Sequence, residues 1–275
     1  MLKHYMPAEF IDSSDKHILL IGVGGTGSQI LTDLARMNQT LIMLGHKGFD
    51  VDVVDHDVVS TTNVGRQLYS MADVGNYKSV VLTTRLNMYF GTAWAAHTFI
   101  IQKATVIPKY EYLLVITAVD NVKTRFLVEK IVKAAKIPYW LDTGNMAKTG
   151  NVILGNADST YIKQPYRKGC IDRLPNVVDL FGDVLKSAAN EEVQPPSCSV
   201  ETSLTKQDLF INKAVATFAM QILWNCFHRG YIEHHGAFIN LDSMTVRPLD
   251  IDTEKWKNMG WKQKKQKRKY FKLRG

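Results

Sequence analysis

Two stretches of this 275-residue chain carry residue types that can do chemistry on a nucleotide. "IGVGGTGSQI" (residues 21–30) sets Gly22, Gly24 and Gly27 in a G-x-G-x-x-G spacing, with Gly25 among them. Some thirty residues later "VDHDVVSTTNVGRQLY" (54–69) presents Asp55, Asp57, Asn63, Arg66 and Gln67. In such a turn the first glycine permits the tight bend, the second lets a phosphate approach the backbone, and the third lets helix close on strand. The phosphate then sits at the positive end of the helix. An Asp at the next strand end accepts from ribose hydroxyls, which suits NAD as well as ATP, so these features alone do not choose the nucleotide.

The residues that follow make the choice. Backbone amides largely satisfy the pyrophosphate of a dinucleotide, whereas transfer of a triphosphate's groups calls for cations and a metal to stabilise charge on the leaving group. Arg66, Lys78 and Asp120 are of those types, Asp120 closing the apolar run "YLLVITAVD". Parallel sheets bind ligands at the carboxyl ends of their strands, so Asp55 and Asp120 can face one crevice, with Asp120 a Mg²⁺ ligand. Each residue also has a plainer reading: Arg66 as a loop cation, Lys78 as a helix-surface residue, Asp120 as a helix N-cap. Taken in order behind the glycine turn, they favour a pocket built to break ATP.

The elements that must position these residues alternate. "HILLIGVGG", "GFDVDVVDHD", "HTFII", "YLLVITAVD" and "IPYWLDTG" read as strands; "TGSQILTDLARMN", "NYKSVVLTTRLNMYF" and "NVKTRFLVEKIVKAAK" read as helices. "QTLIMLGHKG" reads as an insertion between helix and strand. The alternation predicts a Rossmann-like α/β fold, a mostly parallel sheet flanked by helices, with a nucleotide-binding core over about 16–155. "KTGNVILG" is an added strand. Residues 156–200 read as a long crossing loop, and 203–252 as a C-terminal helix followed by a hairpin turning at Asp242-Ser243. The expected organisation is a single domain over 1–254 with a tail over 255–275.

That tail explains the formal charge of +8. Lys255 to Gly275 holds ten Lys or Arg and no acid, which leaves 24 basic against 26 acidic residues before it and a nearly neutral body. With Trp256, Trp261, Tyr270 and Phe271 interleaved, the tail is suited to nucleic acid or an acidic partner, or is a solvated terminal segment. The longest apolar stretch, "AVATFAMQILW", is too short to span a bilayer, and the first residues form no apolar signal region. A cytoplasmic protein with no membrane association is expected. Cys170, Cys198 and Cys226 lie far apart without a C-x-x-C pair, which argues against a four-cysteine zinc site and a disulfide framework.

In their order, "GVGGTGS", "DHDVV…NVGRQ", "DVGNYK", "TAVDN" and "PYWLDTGNMAKTGNV" resemble the ubiquitin-activating-like adenylyltransferases, the ThiF/MoeB/E1 superfamily, over roughly residues 18–152. The N-x-x-R-Q after D-x-D is far more specific than the glycines. "PPSCSVE" and "KQDLFIN" look most like the ThiF-type proteins of the PRTRC plasmid-associated system. The resemblance implies ATP- and Mg²⁺-dependent adenylation of the C-terminal carboxylate of a ubiquitin-like β-grasp protein, and a homodimer. It implies that Asp55 holds the ribose, that Asn63, Arg66 and Lys78 contact phosphates, that Asp120 binds Mg²⁺, and that Asn121 and Arg125 belong to the nucleotide-site region. A carboxylate is already a nucleophile at neutral pH, so no side-chain base is required.

The same resemblance exposes one departure and singles out one further residue. Many relatives lend an N-terminal Arg to the partner's ATP site, but no Arg here precedes Arg36; either Lys3 or Lys16 substitutes, or the contribution is absent. Cys198 sits where thioester-forming relatives carry their cysteine, and a thiolate can attack an acyl-adenylate. Its flanks "QPPSCSVET" supply no cation to lower the thiol pKa, so a loop or buried thiol without chemistry is the competing reading. Two rival functions stand beside adenylation. An NAD-dependent oxidoreductase leaves Arg66, Lys78 and Asp120 without work, and a non-catalytic E1-like binding subunit leaves the ATP set unexplained.

Overall fold

The computed structural model describes residues 2–103, 105–107, 111–157, 162, 164, 168–191 and 208–262. In chain order the elements are β1 (His4–Tyr5), α1 (Glu9–Asp12), β2 (His17–Ile21), α2 (Gly25–Met43), β3 (Asp50–Val54), α3 (Lys78–Phe90), β4 (Ala95–His97), β5 (Leu114–Thr117), α4 (Val122–Ala135), β6 (Tyr139–Asn145), β7 (Thr149–Asn156), α5 (Val177–Glu191), α6 (Ile211–Trp224), β8 (Tyr231–Ile232), β9 (His234–Asn240), β10 (Thr245–Asp250) and α7 (Thr253–Asn258). Eight strands form one sheet in the order β10-β9-β7-β6-β5-β2-β3-β4. The five from β6 to β4 run parallel, and β7, β9 and β10 continue the sheet antiparallel. This is the expected Rossmann-like fold with its helix and hairpin extension.

The strand order reverses at β2, which leads to β3 on one side and has β5 on the other. A crevice opens at such a switch point, outside the carboxyl ends of the strands. The strands here are apolar on both faces because helices cover both: Ile18, Leu20, Val51, Val53, Val115 and Ile116 are fully buried.

Four local expectations differ from the structure. Helix α2 runs through "QTLIM" to Met43, so that stretch is helix rather than an insertion, and the turn lies at Leu44–Gly48, where Gly45 and Gly48 take positive φ. "HTFII" contributes only His97 to the three-residue β4, and Phe99 to Ile101 run on beyond it. The crossing segment contains α5. There the Asn176 side chain accepts from the N–H groups of Val178 and Asp179 at its first turn, while Val177 and Leu180 are buried at helical spacing.

The fourth concerns the tail. Its first residues fold onto the body, because Asp252 caps α7 and Trp256 and Trp261 are buried edge-to-face against each other. Those two aromatics are core, not a surface for nucleic acid. Residues 263–275 and the loop 192–207, with Cys198, lie outside the described residues. Among the described residues no helix is long and apolar enough to cross a membrane.

Candidate functional site

The glycine turn leaves β2 and enters α2 at the switch point. Gly22 has φ +90°, its N–H donates to the Val54 carbonyl at 2.8 Å, and a Cβ there would lie 2.7 Å from the Ala118 carbonyl oxygen. Only glycine lets the turn pass between β3 and the end of β5. A Cβ on Gly27 would come 1.9 Å from the Gly22 carbonyl oxygen, so the helix closes directly on the turn. At Gly24 a Cβ would meet nothing within 4 Å, leaving open backbone at the helix N-terminus.

Asp55 follows β3 and ties this turn down. Its Oδ2 accepts from the Val23 N–H at 2.7 Å and its Oδ1 from the Asp57 N–H at 2.8 Å. Burial pushes its pKa above the usual carboxylate range, against the lowering by these two backbone donors. The loop after it is braced by two residues. Asn63 is buried, its Oδ1 accepts from the Ser60 N–H at 2.9 Å, and its carbonyl accepts from the Gln67 N–H. The Tyr69 hydroxyl donates to the Val23 carbonyl at 2.7 Å, pinning the Arg66-Gln67 segment to the glycine turn.

Together these elements enclose a cleft of about 460 Å³, within the size range of small-molecule sites. Gly22, Gly24, Gly25, Asp55, Asp57, Arg66, Gln67, Lys78, Asp120 and Asn121 all line it. The structure therefore brings ten of the sequence-nominated residues to one place. Gly27 and Asn63 stand just behind the lining. Arg125 is braced elsewhere: its guanidinium donates to the Val119 carbonyl at 3.2 Å and the Thr143 carbonyl at 3.0 Å, and its Nε lies 3.3 Å from Asp142. It joins the ends of β5 and β6 and fixes the backbone just before Asp120.

Charge in the cleft is paired at Asp57 and left unpaired at Asp120 among the described residues. The buried Lys78 ammonium lies 2.8 Å from Oδ2 of the half-exposed Asp57. Arg66 is half-buried, and its Nε makes no hydrogen bond among the described residues; the same holds for Oε1 of the nine-tenths-buried Gln67. Asn121, not Asp120, caps α4, accepting from the Thr124 N–H at 2.7 Å. Asp120 is thus left exposed at the cleft, with no cation within ion-pair distance among the described residues, which suits a divalent ion. Asp55, His56 and Asp57 also bring ligand atoms within 4.8 Å of one another, but the Lys78 ammonium competes for Asp57.

Sequence reasoning missed part of the lining. Phe99, Ile100 and Ile101 bring apolar side chains to the cleft wall beyond β4, the first two exposed. Thr143, Asn145 and Asn212 form the opposite wall. Asn212 carried a usable signal, a polar residue among the buried Ile211, Val215 and Ala216 of an apolar helix. Neither N-terminal lysine is a spare cation: Lys16 is buried and donates to the carbonyls of Ile11 and Ser13, and Lys3 pairs with Glu233 at 3.3 Å. Of the other cysteines, Cys226 is fully buried, Cys170 is half-buried, and neither lines the cleft.

The ThiF family model matches residues 7–265 of this chain. Among curated proteins, the tRNA threonylcarbamoyladenosine dehydratase of Haemophilus influenzae is 31% identical over 139 residues, covering 48% of this chain and 49% of that protein. The NEDD8-activating enzyme E1 catalytic subunit of Dictyostelium discoideum is 30% identical over 115 residues, 41% of this chain and 24% of that protein. The chain thus spans at most about half the length of these relatives. Among solved structures, E. coli MccB with ATP superimposes with a TM-score of 0.60 at 14% identity, over 86% of this chain and 64% of that one. At that identity the likeness is one of fold.

Proposed function

Because the chain belongs to the ThiF family, we propose that it adenylates a carboxylate with ATP. The observation that carries this reading is the gathering of Arg66, Lys78 and Asp120 around an open helix N-terminus, where a dinucleotide would need only the amides. A carboxylate oxygen of the substrate attacks the α-phosphorus of ATP. The bond from that phosphorus to the oxygen bridging to the β-phosphorus breaks, and pyrophosphate leaves with the electron pair. The products are an acyl-adenylate and pyrophosphate, with no proton to move at the nucleophile.

The chain's part is positioning and charge stabilisation. The N–H groups of the first turn of α2 receive phosphate oxygens, and Asp55 keeps that turn in place while offering its remaining lone pairs to the ribose. Arg66 and Lys78 stabilise the charge that grows on the departing pyrophosphate. Asp120 would hold a Mg²⁺ ion, which would supply further neutralisation of phosphate charge. Phe99, Ile100 and Ile101 offer the apolar surface a purine needs. Gln67 Oε1, without a donor among the described residues, is suited to a hydroxyl or amine of the nucleotide.

The proposed substrate is the C-terminal carboxylate of a ubiquitin-like β-grasp protein. The NEDD8-activating relatives, and MccB solved with MccA, support a polypeptide acyl donor. Transfer to Cys198 as a thioester, a homodimeric assembly and a cytoplasmic site of action belong to the same proposal. Trapping with hydroxylamine tests it. Mg·ATP and β-grasp proteins with free C-termini should yield the C-terminal hydroxamate and pyrophosphate. Stoichiometric ATP binding without hydroxamate from any such protein would refute the proposed acyl donor.

A further inference from the structure

The side chain of Asn212 joins three elements at the cleft. It sits second in α6, 4% exposed, and its Oδ1 accepts from the Thr26 hydroxyl at 3.0 Å and from Nδ2 of Asn145 at 2.8 Å. Its amide also lies flat against Gly25, where a Cβ would come 2.6 Å from Cγ, Oδ1 and Nδ2 alike. Gly25 and Thr26 open α2 and line the cleft, and Asn145 ends β6 on the opposite wall. A buried amide in the apolar seam between α2 and α6 is a costly way merely to fill space. Two of these contacts, to Gly25 and Thr26, fall on the turn whose N–H groups face the cleft, and the third ties that turn to the end of β6.

We propose that Asn212 is a positioning residue for nucleotide phosphate, an inference that rests on the ATP reading above. It holds the first turn of α2 at a fixed distance from the end of β6, so that the N–H groups meet the phosphate without rearrangement. It also makes Gly25 obligatory for a reason unrelated to backbone strain: Gly25 does not have positive φ, and the obstacle to a side chain there is the Asn212 amide itself.

Calorimetry with ATP, Mg²⁺ and adenosine on the full chain tests this. Asn212→Asp keeps the size of the side chain and both accepted hydrogen bonds, but sets a carboxylate beside the phosphates. Mg·ATP affinity should fall about tenfold or more while adenosine affinity stays close to wild type, with a lowered melting temperature as the cost of the buried carboxylate. Gly25→Ala should weaken Mg·ATP binding by a similar factor, and adding Asn212→Ala to it should restore part of the loss, a coupling of opposite sign to independent effects. An Asn212→Asp variant that loses stability but keeps Mg·ATP affinity would make the residue purely structural and overturn the inference. So would effects of Gly25→Ala and Asn212→Ala that simply multiply. Wild type that binds no Mg·ATP would overturn the ATP reading and this inference together, whereas binding indifferent to every one of these variants would overturn this inference alone.

Discussion

The ammonium of Lys78 lies 2.8 Å from a carboxylate oxygen of Asp57, with the lysine side chain 8% exposed and the aspartate 52% exposed. A buried cation is therefore held by a counter-ion that water already reaches. An arriving phosphate can take over that role while Asp57 turns to solvent. Replacing Lys78 with Met should leave the melting temperature within a few degrees, since Asp57 can be solvated, while lowering adenylation turnover by about 10² or more. Melting curves and pyrophosphate release separate the two effects. A large loss of stability with unchanged turnover would make the pair structural.

Asp120 caps nothing and pairs with nothing among the described residues, so Asp120→Asn is expected to change stability by no more than about 0.5 kcal/mol. Its effect should appear in the metal dependence. Added Mg²⁺ should tighten ATP binding by the wild type but not by the variant. A variant that retains the full Mg²⁺ effect would move the ion to another ligand.

Arg125 predicts the reverse pattern. Asp142 is completely buried; burial raises its pKa, and Arg125 together with the Thr117 hydroxyl at 2.6 Å opposes the rise. Arg125→Met strands that carboxylate and frees two carbonyls, so chemical denaturation should show a loss of about 3–5 kcal/mol. Lys should rescue little, lacking the fork that reaches Val119 and Thr143 together. Intact stability with abolished ATP binding would make Arg125 a direct nucleotide ligand.

Acid sensitivity should come from two buried histidines. Burial brings His4 and His235 down to about 4, from 6.5 in the unfolded chain. His4 sits between the Ile171 carbonyl and the Tyr139 hydroxyl; His235 bonds the Leu154 carbonyl and packs edge-on to Trp256. The unfolded state takes up protons first as pH falls, so stability should be flat above about 7 and decline from about 6.5 towards 4. Each histidine can contribute up to about 3 kcal/mol of that decline. Urea denaturation from pH 8 to 5 reads the slope, which His235→Gln should make shallower; an unchanged slope would assign the loss to other groups.

What the sequence made legible was local. The glycine spacing, the acid after the next strand and the Arg-Gln beyond it are set by the geometry of one turn and one loop, so their convergence in the cleft could be anticipated. Residues whose partners are remote could not be read in this way. Thr26 and Asn212 are 186 positions apart, and Arg125 reveals its brace only once β5 and β6 are paired. Trp256 reads as part of a basic tail because its sequence neighbours are charged, whereas its burial depends on His235 in β9. Helix α5 was obscured by the proline- and asparagine-rich residues around it, although its apolar positions keep helical spacing.

The central claim is that this cleft holds ATP through its cations and a metal. The most direct measurement is calorimetry of ATP with and without Mg²⁺, set against NAD, on wild type and Arg66→Ala. The account predicts Mg²⁺-dependent ATP binding that weakens about tenfold or more in the variant. NAD binding indifferent both to Mg²⁺ and to Arg66 would contradict it.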